Sequence, residues 1–162
     1  MQLDMLEPAR NSDVYKHVWA MLSVSQVVDN YQIKPLQFIN FIKETDNYYS
    51  KHDNPFHNFR HGATVMNAAY SMLRTTNLPK YFGKTGTSAF LFAALMHDVE
   101  HTGRNNMFEM NSSSKLAVRY NDNSVLENHH SARAFYILSK AEFNIFNKMH
   151  ADEFPIFRKF VI

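Results

Sequence analysis

TSAFLFAALMHDVEHTGRNN, residues 87–106, joins two kinds of sequence that rarely sit together. Its first half is an apolar run, Ala89–Met96, and a helix from about Thr87 carrying Phe90–Met96 has to be buried on most of its sides. Its second half ends that run in His97, Asp98, Glu100, His101, Asn105 and Asn106. A solvated helix end would more usually carry Lys and Glu. This pattern fits a buried helix whose end holds something charged.

Working outward, apolar residues recur at helical spacing along almost the whole chain. Val14, Val18, Met21 and Leu22 form one stripe, with Ser12 as its expected cap. After Pro35, the positions Leu36, Ile39, Phe41 and Ile42 begin a second helix. A third is expected over about Arg60–Arg74, ending before Pro79. Further helices are expected over Ser112–Arg119, Ser124–Lys140 and Asp152–Ile162. Alternating strand patterns, repeats and linker-like stretches are absent, so the expected fold is all-α. The closing FPIFRKFVI reads as the middle of an amphipathic helix without a C-cap, as if the chain stopped inside an element.

The 162 residues suggest one domain with room for a core. A net charge of +2 gives no reason to expect a nucleic-acid partner. With no cysteine, thiolate metal ligands, disulfides and a Cys nucleophile are excluded, and the composition points to the cytoplasm. MQLDMLEPARNSDV has no basic stretch leading into an apolar one, so no leader peptide is expected. The run Ala89–Met96 is too short to span a bilayer.

Seven of the nine histidines (His52, His57, His61, His97, His101, His129 and His130) lie between positions 52 and 130. A lone histidine is ordinarily a satisfied core or surface residue; clustering with acids changes that reading. His57 and His61, if helical, point the same way one turn apart. His97 and His101 repeat that spacing with Asp98 between them, and two imidazoles plus a carboxylate suit a borderline divalent cation such as zinc. Gly103 and Asn106 suggest a turn leaving the site. Ser124 followed by Glu127 reads as a capping box, which leaves Glu127, Asn128, His129 and His130 unexplained as a solvated face. Gly83-Lys84-Thr85 is not a P-loop, because the required earlier glycine position is Leu78. Neither G-x-S-x-G nor H-E-x-x-H occurs.

Taken in order, NPFHNFRH, HDVEHTGRNN and YNDNSVLENHH resemble the motifs of the class I cyclic nucleotide phosphodiesterase catalytic domain, and the similarity runs to FRKFVI. Glu100-His101-Thr102-Gly103 and Asn144-Ile145-Phe146 are most similar to the calmodulin-stimulated subfamily, where many other relatives have Asp and Pro in place of Glu100 and Thr102. Phe56 stands where relatives usually have Tyr, and Gly62 and Thr64 replace the usual Ala and Asp.

The resemblance implies an all-α HD-type phosphodiesterase fold, of which residues 1–162 are the metal-binding N-terminal half. It implies hydrolysis of cAMP or cGMP to 5′-monophosphates by a hydroxide activated between two metals, zinc at the first site and magnesium or manganese at the second. His61, His97 and Asp98 would bind the first ion, with Asp98 bridging to the second. His57 would be the proton donor and, with Phe56, would contact substrate. His101 would join the catalytic set, and Asn106, Glu127 and His129 would orient the waters around the ions. A further aspartate ligand and the base pocket belong to a half this chain lacks, so the isolated chain is expected to be inactive. The alternatives are another HD-type metal-dependent phosphohydrolase, or an inert half-domain with an interaction role.

Overall fold

The structure, a computed structural model, describes residues 11–162. The expectation of no leader peptide concerns chiefly residues 1–10, which lie outside the described residues. The helices are α1 (Ser12–Val24), α2 (Val27–Asn30), α3 (Pro35–Tyr49), α4 (Phe59–Thr75), α5 (Leu78–Met96), α6 (Asn106–Asn111), α7 (Lys115–Tyr120), α8 (Val125–Leu138) and α9 (Glu153–Val161), with a 3₁₀ turn at Ser50–His52. No strand occurs among the described residues, so the all-α expectation holds. No helix is long and apolar enough to cross a membrane among the described residues.

The apolar run makes α5 the central helix, packed chiefly against α4 on one side and α9 on another. Ala89, Leu91, Phe92, Leu95 and Met96 are buried. Phe92 lies among the rings of Phe41, Phe146 and Phe157, with the last centroid 5.4 Å away. Removing a ring so placed typically costs about 3–5 kcal/mol. The consequence for the site is mechanical: the helix that ends at His97 is clamped along its length.

Gly62 explains how close that clamp is. A Cβ there would lie 2.7 Å from Tyr49 Oη and 2.8 Å from Leu95 O. The absent side chain lets Tyr49 reach between α4 and α5 and donate to Leu95 O at 2.8 Å.

Several local expectations are corrected. The N-cap of α1 is Asn11, not Ser12, and no side chain caps the helix, because Asn11 donates instead to Asp46 Oδ2 at 2.8 Å. The second helix begins at Pro35 as expected, although Leu36, the first of its apolar positions, is 57% exposed. The helix expected from Thr87 starts at Leu78, with Pro79 in its first turn and a break at Gly83 (φ 60°, ψ −170°). The helix expected over Ser112–Arg119 starts later, since Ser113 is left-handed (φ 50°) and α7 begins only at Lys115 under a Ser114 cap. The unexpected helix α6 is capped by Asn105, which accepts from Phe108 N at 2.9 Å.

The capping box at Ser124 does not form. Ser124 is left-handed (φ 42°) and makes no side-chain cap, whereas a capping hydroxyl needs extended backbone to reach the helix amides. Asn106 does the work from α6: its Oδ1 accepts from Leu126 N at 2.9 Å.

Candidate metal centre

The C-terminus of α5, the N-terminus of α4 and the buried face of α8 bring the histidines together. α4 begins under an Asn58 cap that accepts from His61 N at 3.2 Å, which fixes His61 in the first turn. His57 therefore precedes the helix, so the two rings do not share a helical face; their centroids are 5.8 Å apart. Asp98 is held by its backbone, whose N–H donates to Tyr49 Oη at 3.3 Å.

His61 Nε2, His97 Nε2 and Asp98 Oδ2 converge: the two nitrogens are 3.2 Å apart and lie 3.2 and 3.1 Å from the oxygen. Donors on a tetrahedral ion with zinc-type bond lengths are about 3.3 Å apart. The donor set and its spacing therefore fit a zinc-like cation. His97 Nδ1–H donates to Ala94 O at 2.9 Å, which leaves its Nε2 lone pair turned to the cluster in the neutral ring.

Electrostatics agree with that geometry. Burial would raise Asp98, but the hydrogen bond and charge of His97 outweigh it and hold the carboxyl at about 2. His97 is raised, first by its hydrogen bond to Asp98. His61 is lowered, first by burial and then by the charge of His97.

A second group meets on the other side of Asp98, where Asp98, His101 and His130 offer ligand atoms within 4.8 Å of one another. His130 Nδ1–H donates to Val99 O at 2.9 Å, and its Nε2 lies 3.8 Å from Asp98 Oδ1. Burial pushes His130 down to about 4, so the ring is neutral at pH 7. His101 differs, because its Nδ1 accepts from Gly103 N at 2.9 Å. The neutral ring then carries its proton on Nε2 and is a donor. Burial and the neighbouring His57 lower it.

Gly103 (φ 80°) turns the chain under Asn54, whose Nδ2 donates to His101 O at 2.6 Å; a Cβ on Gly103 would sit 2.6 Å from Asn54 Oδ1. His57 stacks on His101 with centroids 4.0 Å apart and planes 6° from parallel. Phe56 is 63% exposed, its ring centroid 4.6 Å from that of His61. Asn106 Nδ2 donates to the Glu127 carboxylate at 2.9 and 3.2 Å, and this hydrogen bond lowers Glu127.

Of the residues singled out in the sequence, His57, His61, His97, Asp98 and His101 are thus gathered in one place, with Asn106 and Glu127 paired to each other. His129 is turned elsewhere, with Nε2 on Glu100 Oε2 at 3.0 Å. The residue that reaches Asp98 is its neighbour His130. Adjacent helical residues project about 100° apart, and although both rings are equally buried they face different carboxylates.

Residues 56–162 match the family described as 3′5′-cyclic nucleotide phosphodiesterase. The chain is 38% identical over 135 residues to a probable 3′,5′-cyclic phosphodiesterase of Caenorhabditis elegans, covering 83% of this chain and 20% of that one. It is 45% identical over 117 residues to the human high affinity cGMP-specific 3′,5′-cyclic phosphodiesterase 9A, covering 72% of this chain and 19% of that one. It superposes on the crystallised phosphodiesterase domain of the RhoPDE fusion protein of the choanoflagellate Salpingoeca rosetta with a TM-score of 0.88 at 33% identity, covering 94% of this chain and 47% of the other. The chain spans about a fifth of these curated relatives and about half of that solved domain.

Proposed function

Because the chain belongs to the 3′5′-cyclic nucleotide phosphodiesterase family, we propose that it is the metal-binding half of a catalytic domain that hydrolyses 3′,5′-cyclic nucleotides to 5′-monophosphates. The observation that carries this is the approach of His61 Nε2, His97 Nε2 and Asp98 Oδ2 within 3.1–3.2 Å, beside a half-buried His57. His61, His97 and Asp98 would hold zinc, and Asp98 Oδ1, which faces the opposite side, would serve a second, harder ion such as magnesium or manganese. Ions so held would supply Lewis acidity toward the cyclic phosphate and a nucleophilic water near neutral pH.

The chain's own residues account for the rest. Phe56 offers an open ring face as a wall for substrate beside His61. His57 donates a proton to the 3′ oxygen as its bond to phosphorus breaks and the water oxygen becomes bonded to phosphorus. The parallel stack on His101 keeps the His57 ring from turning away. His101 presents Nε2–H, and Glu127, oriented by Asn106, presents a carboxylate, so the pair can orient water across the cleft. His129 acts at a distance, through Glu100. The cysteine-free composition supports a cytoplasmic setting.

With the base pocket and a fourth ligand outside these residues, the isolated chain should bind metal yet turn over neither cAMP nor cGMP usefully. Zinc content by mass spectrometry, beside a turnover assay, tests both halves of this reading. Zinc retained at full occupancy in Asp98→Ala would remove the metal assignment. Saturable, metal-dependent turnover by the chain alone would remove the half-domain reading.

A further inference from the structure

Glu100 is buried (7% exposed) and sits in the left-handed region at φ 61°. It is the third residue of a turn closed by His101 N donating to Asp98 O at 3.0 Å. That turn position calls for Gly or Asn, and a side chain there strains the backbone. Glycine would suit the turn better, so the carboxylate has to account for the glutamate. It is fully engaged. Lys51 Nζ donates to Oε1 at 2.5 Å, His129 Nε2–H to Oε2 at 3.0 Å, and Arg133 Nε–H also to Oε2. Burial would raise the carboxyl, but the Lys51 hydrogen bond and the Arg133 charge keep it below its ordinary range.

These partners come from two places, the 3₁₀ turn after α3 and two successive turns of α8. Lys51 and Arg133 are themselves seated over the ring of Tyr48, at 4.1 and 4.8 Å. Glu100 therefore anchors, on both sides, a turn whose first residue is Asp98 and whose last is His101. We propose that Glu100 is the positioning residue of the centre: its carboxylate fixes the turn so that Asp98 faces His61 and His97, and removing it weakens metal binding although no ligand has changed. This rests on the metal reading given above and adds to it the residue that sets the geometry.

Zinc affinity of the 162-residue chain, measured by competition with a chromophoric chelator well below each variant's Tm, compares folded protein only. Glu100→Gln keeps shape and loses charge, and zinc should bind about 10–100-fold more weakly, the range typical of partners behind metal ligands. Glu100→Gly eases the backbone and deletes the carboxylate, so its affinity should fall at least as far. Glu100→Asp should recover part of the loss. Leu22→Ala, a core lesion on α1, should lower Tm and leave the affinity of the folded chain unchanged.

A metal-free arm, in chelator, follows the imidazole nitrogens by NMR. Glu100→Gln should shift His61, His97 and His101, while Leu22→Ala should not. Wild-type zinc affinity in both Glu100→Gln and Glu100→Gly, or unmoved ring signals, overturns the positioning role. Absence of zinc binding by the wild-type chain would defeat the metal reading instead, and the NMR arm would still decide the role of Glu100.

Discussion

Asp98 and Glu100 are two residues apart, each carboxylate has histidine within reach, and they are wired in opposite ways. Glu100 is closed: a lysine, an arginine and a histidine donate to it, and every charge has an opposite within reach. Asp98 is open: the ring nitrogens that face it are drawn together at 3.2 Å, with more acceptor lone pairs than protons to fill them. The two sets share their chemistry and differ in saturation. A saturated buried network holds a fold, whereas an unsaturated one beside it is a place for a cation. The closed network here frames the open one.

The sharpest way to break this contrast is at Asp98. Asp98→Ala should lower zinc affinity by more than the roughly 100-fold upper range for outer partners, while Tm in chelator falls less than it does in Glu100→Ala. Isothermal titration and thermal melts on one sample check both. A large fall in Tm with zinc binding intact would reverse the roles of the two carboxylates.

Glu100→Ala should do the opposite in proportion, with stability falling on the order of 3 kcal/mol because Arg133 and His129 are left without their acceptor. Lys51, whose side chain is 46% exposed, adds little to that loss. Urea titration in chelator measures it, and a change under about 0.5 kcal/mol would mean that the network is not structural.

The pH dependence separates the two regions next. His130 is held at about 4 by burial, below its ordinary 6.5, so it binds a proton more readily unfolded than folded. Its stability contribution is complete above pH 6.5 and is lost as the pH falls toward 4, on the order of 2–3 kcal/mol. His101 and His129, also lowered chiefly by burial, add in the same direction. His97, which is raised, works against them, its contribution being present below 6.5 and lost as the pH rises through its folded value. Melts in chelator from pH 8 to 4 should therefore show falling Tm below 6.5, and His130→Gln should flatten the curve. An unchanged slope in that variant would contradict the buried neutral ring.

Smaller still is Gly62→Ala, which pushes a methyl against Tyr49 Oη and Leu95 O. It should cost about 1–3 kcal/mol. Because Tyr49 also accepts from Asp98 N, zinc affinity should fall with it.

The helical class and the Asp98 cluster were legible in the sequence, because both rest on spacing: a period of 3.6 for the class, and motif order for His61, His97 and Asp98. What spacing cannot carry was missed. Ser124 looks like a cap until its left-handed backbone is seen, and Asn106, eighteen positions earlier in the chain, takes over. His129 and His130 are interchangeable on paper and face different carboxylates in space. Gly83 hides a break inside a helix that begins at Leu78, well before the Thr87 start expected from the apolar run. Glu100 read as one more polar residue in a motif, and only its partners from α8 and the 3₁₀ turn identify it.

Whether His61, His97 and Asp98 make one metal site can be read from X-ray absorption at the zinc edge of the loaded chain. The expected shell contains two imidazole nitrogens and a carboxylate oxygen at about 2.0–2.2 Å, reduced to one imidazole in His97→Ala. An all-oxygen shell, or a shell unchanged by His97→Ala, would contradict it.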